Sequence, residues 1–242
     1  MYDTQRVTAS ASNLRAFFNR TFTWMAAGLV LTAVVAWYTV SSASLMSFVA
    51  GAILPLLLVQ LALVFGFGFL LPRVSATVAG VLFAVYSALN GLTLSRIFLV
   101  YTDTAIASAF VTAAGMFGAM ALIGYTTKVD LTKVGSIAFM ALIGLLIAMV
   151  VNLFLQSGPL AFIISAVGVI IFAALTAYDI QKLKAIAQYG PAGDGWDGSV
   201  GGVSGEVGEK MAVFGALTLY LDFINLFLML LRLFGFAGGR RE

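Results

Sequence analysis

Leu217 to Arg232 reads LTLYLDFINLFLMLLR, an apolar run long enough to enter a membrane and interrupted by one acid, Asp222. An ionisable side chain in hydrocarbon costs at least ~2.5 to 3.5 kcal/mol on the insertion scale, so such a residue normally faces a bundle interior or a wet cavity. Helical spacing puts Gly215, Thr218, Asp222, Asn225, Met229 and Arg232 roughly on one face. Leu219, Phe223, Leu226, Phe227 and Leu230 populate the others. The polar face is therefore expected to point at protein, either around a functional acid or as a strip hydrogen-bonded between helices.

The rest of the chain has the same character. It has 242 residues, of which 62% are hydrophobic and 10% charged, and its mean hydropathy is +1.06. Soluble domains carry about one-quarter charged residues, so the chain is expected to be an all-α integral membrane protein. There is no Cys and no His. That excludes disulfides, thiolate or imidazole metal sites, thiol nucleophiles and histidine pH switching, and leaves oxygen as the only ligand for a cation. The net charge is +3, but the bases are scattered singly, so no nucleic-acid partner is expected. An intramembrane hydrolase would need an aspartyl pair, and the motifs around Asp179 and Asp222 do not look like those of such proteases. No enzyme activity is expected.

Charge-free stretches and turn signals predict seven spans. Residues 1–21 read as a cytoplasmic N-terminal segment in which Leu14, Phe17, Phe18 and Thr21 offer a short amphipathic face for the membrane surface. Residues 22–236 read as a single seven-helix membrane domain, and 237–242 as a C-terminal tail. Ser41 to Ser44 divides the first two spans, and Gln156-Ser157-Gly158-Pro159 turns the fifth into the sixth. Residues 190–208, with eight glycines and the acids Asp194, Asp197 and Glu206, read as a loop before the seventh span. With the N-terminus inside, nine Lys and Arg fall on the cytoplasmic side and four outside. The positive-inside rule therefore favours a cytoplasmic N-terminus and an external C-terminus.

Asp222 lies well inside a span, and Asp179 sits where the sixth span leaves the apolar zone. If their side chains meet, the two carboxyls titrate in coupled steps. Protonated, the pair shares a hydrogen and holds two helices together; deprotonated, it repels, admits water and offers hard oxygen ligands to Ca²⁺. Depth is the objection. Asp222 is roughly 16 Å along the helix from Met211, so contact requires the sixth helix to run on, toward Lys184, or the seventh to begin earlier. Asn90, Asn152, Gln60, Ser87 and Gln156 either line a path or tie helices together. Arg73 either pairs with Asp179 on the same membrane side or anchors topology.

Ala177-Tyr178-Asp179-Ile180-Gln181, and Leu219 to Phe227 with Leu230-Leu231-Arg232 after it, resemble the Bax inhibitor-1 (transmembrane Bax inhibitor motif) family, in its bacterial inner-membrane branch. Phe22 to Met25 and Ser87 to Ser95 extend the likeness over essentially the whole chain. The resemblance implies seven transmembrane helices with the last one central and surrounded by the other six, and a pH-sensitive calcium leak. It implies that Asp179 and Asp222 form the pH sensor and gate, with Arg73 as candidate latch. Thr218, Asn225, Asn90 and Asn152 are then candidate pore or packing groups. Ca²⁺ would be the permeant or regulatory ion, met by Asp179 and Asp222, with no tightly bound cofactor. Besides membrane lipid, a membrane protease is a candidate partner. The alternatives are a modulator of a protease or stress response without transport, and a proton-coupled transporter.

Overall fold

The computed structural model describes residues 2–189 and 205–239, and the side chains of 12–189 and 205–238. The described residues form α-helices and no strands: α1 (Tyr2–Val40), α2 (Ala43–Leu70), α3 (Ala76–Leu94), the single turn α4 (Ile97–Val100), α5 (Asp103–Thr126), α6 (Thr132–Leu155), α7 (Gly158–Tyr189) and α8 (Gly205–Phe234), closed by a π turn at Gly235–Gly239. Seven helical stretches are long and apolar enough to cross a membrane, α3 and α4 acting as one. In hydrocarbon every backbone polar group needs an internal partner, which the helix supplies. The ends are capped locally. Ser75 Oγ accepts from Val78 N at 3.3 Å, Thr102 Oγ1 accepts from Ala105 N at 3.3 Å, and Gln156 takes the left-handed conformation, φ 48°, that stops α6.

Three sequence boundaries move. The N-terminal segment is not separate from the first span, because α1 runs unbroken through residue 21. Its apolar face does not lie on a membrane surface: Leu14, Phe17 and Phe18 are buried and Thr21 is fully so. At the end of that face, Thr21 meets α8. A Cβ on Gly215 would come 3.2 Å from the Thr21 methyl, and Arg20 pairs with Glu209 at 2.6 Å. An apolar face at helical spacing has the same appearance whether it meets headgroups or a neighbouring helix. At the other end of the Gly-rich stretch, residues 205–208 belong to α8, while 190–204 lie outside the described residues. Ala237 to Gly239 continue in the π turn, and 240–242 also lie outside.

The residues group into two compact units, one of residues 1–97 and 183–220, the other of 98–182 and 221–242. In the first, α1 and α3 meet along glycines. A Cβ on Gly28 would lie 2.5 Å from the Phe83 ring, one on Gly80 2.7 Å from Trp24, and one on Gly91 2.6 Å from the Thr32 carbonyl oxygen. Small residues let membrane helices approach where no hydrophobic force drives them together. Tyr220 of α8 is fully buried, edge-on to Phe83 at 5.6 Å and to Tyr86 at 5.9 Å. From α2, the Gln60 amide donates to Leu89 O at 3.2 Å, tying that helix to α3.

In the second unit, Phe223 of α8 packs edge-on against Phe110 at 5.5 Å and Phe117 at 5.7 Å, both from α5. Gly168 of α7 lies against Met229, where a Cβ would come 2.8 Å from the sulfur. The most apolar window of α8 is 72% buried, against 11% to 50% for the other six spans. The last helix is thus the most enclosed of the seven. Asp222 sits in this enclosed helix.

Candidate functional site

The site lies in the second unit, at Asp179 on α7 and Asp222 on α8. Two glycines clamp the residues just before Asp179. A Cβ on Gly124 of α5 would clash with the Ala177 carbonyl oxygen, and one on Gly135 of α6 would come 2.5 Å from the Tyr178 ring. Two residues beyond Asp179, the Gln181 amide donates to Val129 O at 2.8 Å, and its oxygen accepts from Leu131 N at 2.8 Å. The α5–α6 connection is thereby pinned to the turn of α7 that presents the acid.

The carboxyl groups of Asp179 and Asp222 lie close enough to act on one another. An ionised carboxylate only accepts, so a hydrogen bond between the two requires one proton on one of the groups. Asp222 is 5% exposed, and among the described residues its Oδ2 is buried without a hydrogen-bond partner. The positive charge of Lys182, one turn on along α7, acts on Asp179. Both helices are longer than their apolar runs, as a meeting of the two acids requires. Helix α7 continues ten residues past Asp179 to Tyr189, and α8 begins seventeen residues before Asp222 at Gly205.

Thr218 Oγ1 donates to Phe214 O at 3.1 Å and Asn225 Nδ2 to Leu221 O at 2.8 Å, each within its own helix. At these two positions the polar stripe of α8 bonds to its own backbone. Asn90 is buried in the first unit, near the Tyr220 hydroxyl. Asn152 Oδ1 accepts from Ser157 N at 3.1 Å, closing the turn after α6. Arg73 is exposed and donates to Phe69 O at 3.1 Å, at the end of its own helix.

Sequence reasoning passed over two groups. Gln181 stands in the same short motif as Asp179, and its amide could have been read as a backbone clamp. Thr32 gave no signal. It donates to Ser87 O at 2.8 Å and lies 2.6 Å from the Tyr220 hydroxyl. With its only proton committed to Ser87, Thr32 accepts from Tyr220, so the tyrosine is the donor.

Chemically, the pair can hold or release a proton and can turn oxygens toward a cation. No cluster of three or more acids occurs among the described residues. Since Ca²⁺ takes six to eight oxygens, two carboxylates suit an ion in passage, with water completing its shell, better than a resident one.

Sequence comparison extends the likeness beyond these motifs. Residues 14–239 match the family described as "Inhibitor of apoptosis-promoting Bax1". The Inner membrane protein YbhL of Escherichia coli strain K12 is 48% identical over 227 residues, covering 93% of each chain. An uncharacterized protein of Deinococcus radiodurans is 46% identical over 220 residues, covering 91% of this chain and 90% of that one. A third, from Rickettsia prowazekii, is 40% identical over 249 residues, covering 99% and 98%. The match takes in both aspartates and all of the candidate spans but the first two residues of the first, and the chain belongs to the Bax inhibitor-1 family of membrane proteins.

Proposed function

We propose that this protein is a cation leak of the bacterial inner membrane that passes Ca²⁺ and is gated by the proton held between Asp179 and Asp222. The observation that supports this reading is the nearness of the two carboxyl groups on α7 and α8, two helices long and apolar enough to cross a membrane. With the proton in place, the bond ties the two helices and the path is closed. When the proton leaves, two like charges face each other in a poorly solvated site. They separate, water enters, and up to four carboxylate oxygens become available to a hard cation. The already unpartnered Oδ2 of Asp222 is the first of these. Arg73 would act as a latch only after leaving Phe69 O. The name of the Escherichia coli relative supports an inner-membrane location, and the distribution of Lys and Arg supports a cytoplasmic N-terminus.

The test is Ca²⁺ flux in reconstituted vesicles as a function of pH. The sign follows from the proton: flux is low at acid pH and rises as the pH is raised. Asp179→Asn and Asp222→Asn each keep a hydrogen-bonding group but remove the titration, so each flattens the pH profile. A wild-type pH profile in both variants would sink the gate. Absence of flux from the isolated protein, with a protease co-purifying, would instead favour the modulator reading. Substrate-dependent proton movement would favour a transporter.

A further inference from the structure

We propose that a cavity in the second unit, beside Arg232, binds an anionic phospholipid, with the phosphodiester on Arg232 and one acyl chain along α6. The cavity has a volume of about 600 Å³ and lies where α6 ends, α7 begins and α8 ends. Its polar wall gathers Arg232, Asn152 and Gln156. Arg232 is half-buried, and among the described residues it has no ion-pair or hydrogen-bond partner. Asn152 spends its oxygen on Ser157 N, which leaves its NH₂ group as a donor. The polar wall therefore presents a fixed cation and an amide donor, the complement of a phosphate oxygen pair.

The apolar wall explains why the occupant is a lipid and not a free anion. Leu146, Val150 and Leu153 recur at i, i+4 and i+7 on α6, with Met149 between them. The first three are 52%, 58% and 71% exposed, so the cavity opens sideways along the helix toward the hydrocarbon. A soluble anion gains nothing from that surface, whereas an acyl chain continues along it. A cation in the last turn of α8 also suits the helix dipole, but the dipole does not call for a cavity or for the amides around it. Arg232 is ten residues, roughly 15 Å, beyond Asp222 along the helix, so the lipid site is distinct from the carboxyl pair.

The test places a fluorophore in the groove with Leu153→Trp and measures quenching by brominated lipids, net of the native tryptophans. Brominated phosphatidylglycerol is expected to quench at about fivefold lower mole fraction than brominated phosphatidylcholine, the preference one basic side chain supplies at a membrane surface. Adding Arg232→Gln should remove the preference, and Arg232→Lys should keep most of it. Equal quenching by the two lipids in the Leu153→Trp protein overturns the proposal, as does a preference that survives Arg232→Gln. Should Arg232→Gln fail to fold, the lipid comparison in the Leu153→Trp protein with native Arg232 still decides. Loss of the preference on adding millimolar inorganic phosphate would assign the site to a free anion and would also overturn it.

Discussion

Gly124 and Ala177 meet backbone to backbone, so closely that no side chain fits at residue 124. Ala177 is two residues before Asp179, and its carbonyl belongs to a helix that cannot shift without moving the acid. Gly124→Ala is therefore expected to destabilise the protein by about 1–3 kcal/mol, the cost of overpacking a seam that cannot yield. It should also weaken the carboxyl bond, raising Ca²⁺ flux at acid pH. Gly118 and Gly144 are the controls, because a Cβ at either meets nothing within 4 Å. Alanine there should stabilise by about 0.5–1 kcal/mol through helix propensity alone. Thermal unfolding in detergent compares the three, and equal effects at 118 and 124 would refute the close approach.

The Tyr220 hydroxyl and Thr32 form a two-step relay into the Ser87 carbonyl. Tyr220→Phe removes only the first donor and leaves Thr32 satisfied by Ser87. Thr32→Val strands both the tyrosine hydroxyl and part of the carbonyl's bonding. Thr32→Val should thus cost more than Tyr220→Phe, within the ~1–3 kcal/mol range for orphaned buried groups. The double variant should cost less than the sum of the two, and a double-mutant cycle measures that coupling. Strict additivity would show that the two hydroxyls do not interact.

The seven spans were legible because membrane crossing imposes one signal, about twenty apolar residues, that survives without knowledge of packing. Asp222 was legible for the complementary reason, as a charge where none belongs. What stayed hidden depends on partners. The burial of Leu14, Phe17 and Phe18 depends on which neighbours pack on α1, and so does the pairing of Arg20 with Glu209. Hydropathy did not show that α8 starts at Gly205, because its first turn is built from glycines and acids that read as loop. For the same reason the meeting of Asp179 with Asp222 was an open question of depth. Asn152 lies within the α6 span and also closes the turn that follows it, a bond to Ser157 N that composition does not reveal.

Asp130, in the connection between α5 and α6, gives a pH-dependent contribution outside the membrane spans. Its carboxylate accepts from Thr132 Oγ1 at 2.6 Å and from Thr132 N at 2.9 Å. These bonds, the hydroxyl first, hold its pKa below the usual 3.8. With the folded value depressed, the stabilisation is present above the unfolded pKa and is lost as pH falls through the folded one. Thr132→Val should move the Asp130 titration back up toward its ordinary value. A carboxyl-carbon NMR titration reads this, and an unchanged midpoint in the variant would rule out the hydroxyl as the cause.

Gln181 makes the last prediction because it joins the connection to the gate. Its two 2.8 Å bonds, to Val129 O and from Leu131 N, belong to one side chain two residues beyond Asp179. Gln181→Ala orphans both backbone groups, though water reaches the partly exposed connection and limits the loss to about 1–2 kcal/mol. Gln181→Glu keeps the acceptor for Leu131 N and loses the donor to Val129 O. Hydrogen exchange at the Leu131 amide separates the cases: fast in Gln181→Ala, slow in wild type and in Gln181→Glu. If the connection also steadies the turn that presents Asp179, Gln181→Ala will broaden the pH dependence of Ca²⁺ flux. A sharp wild-type profile alongside fast Leu131 exchange would confine Gln181 to holding the loop.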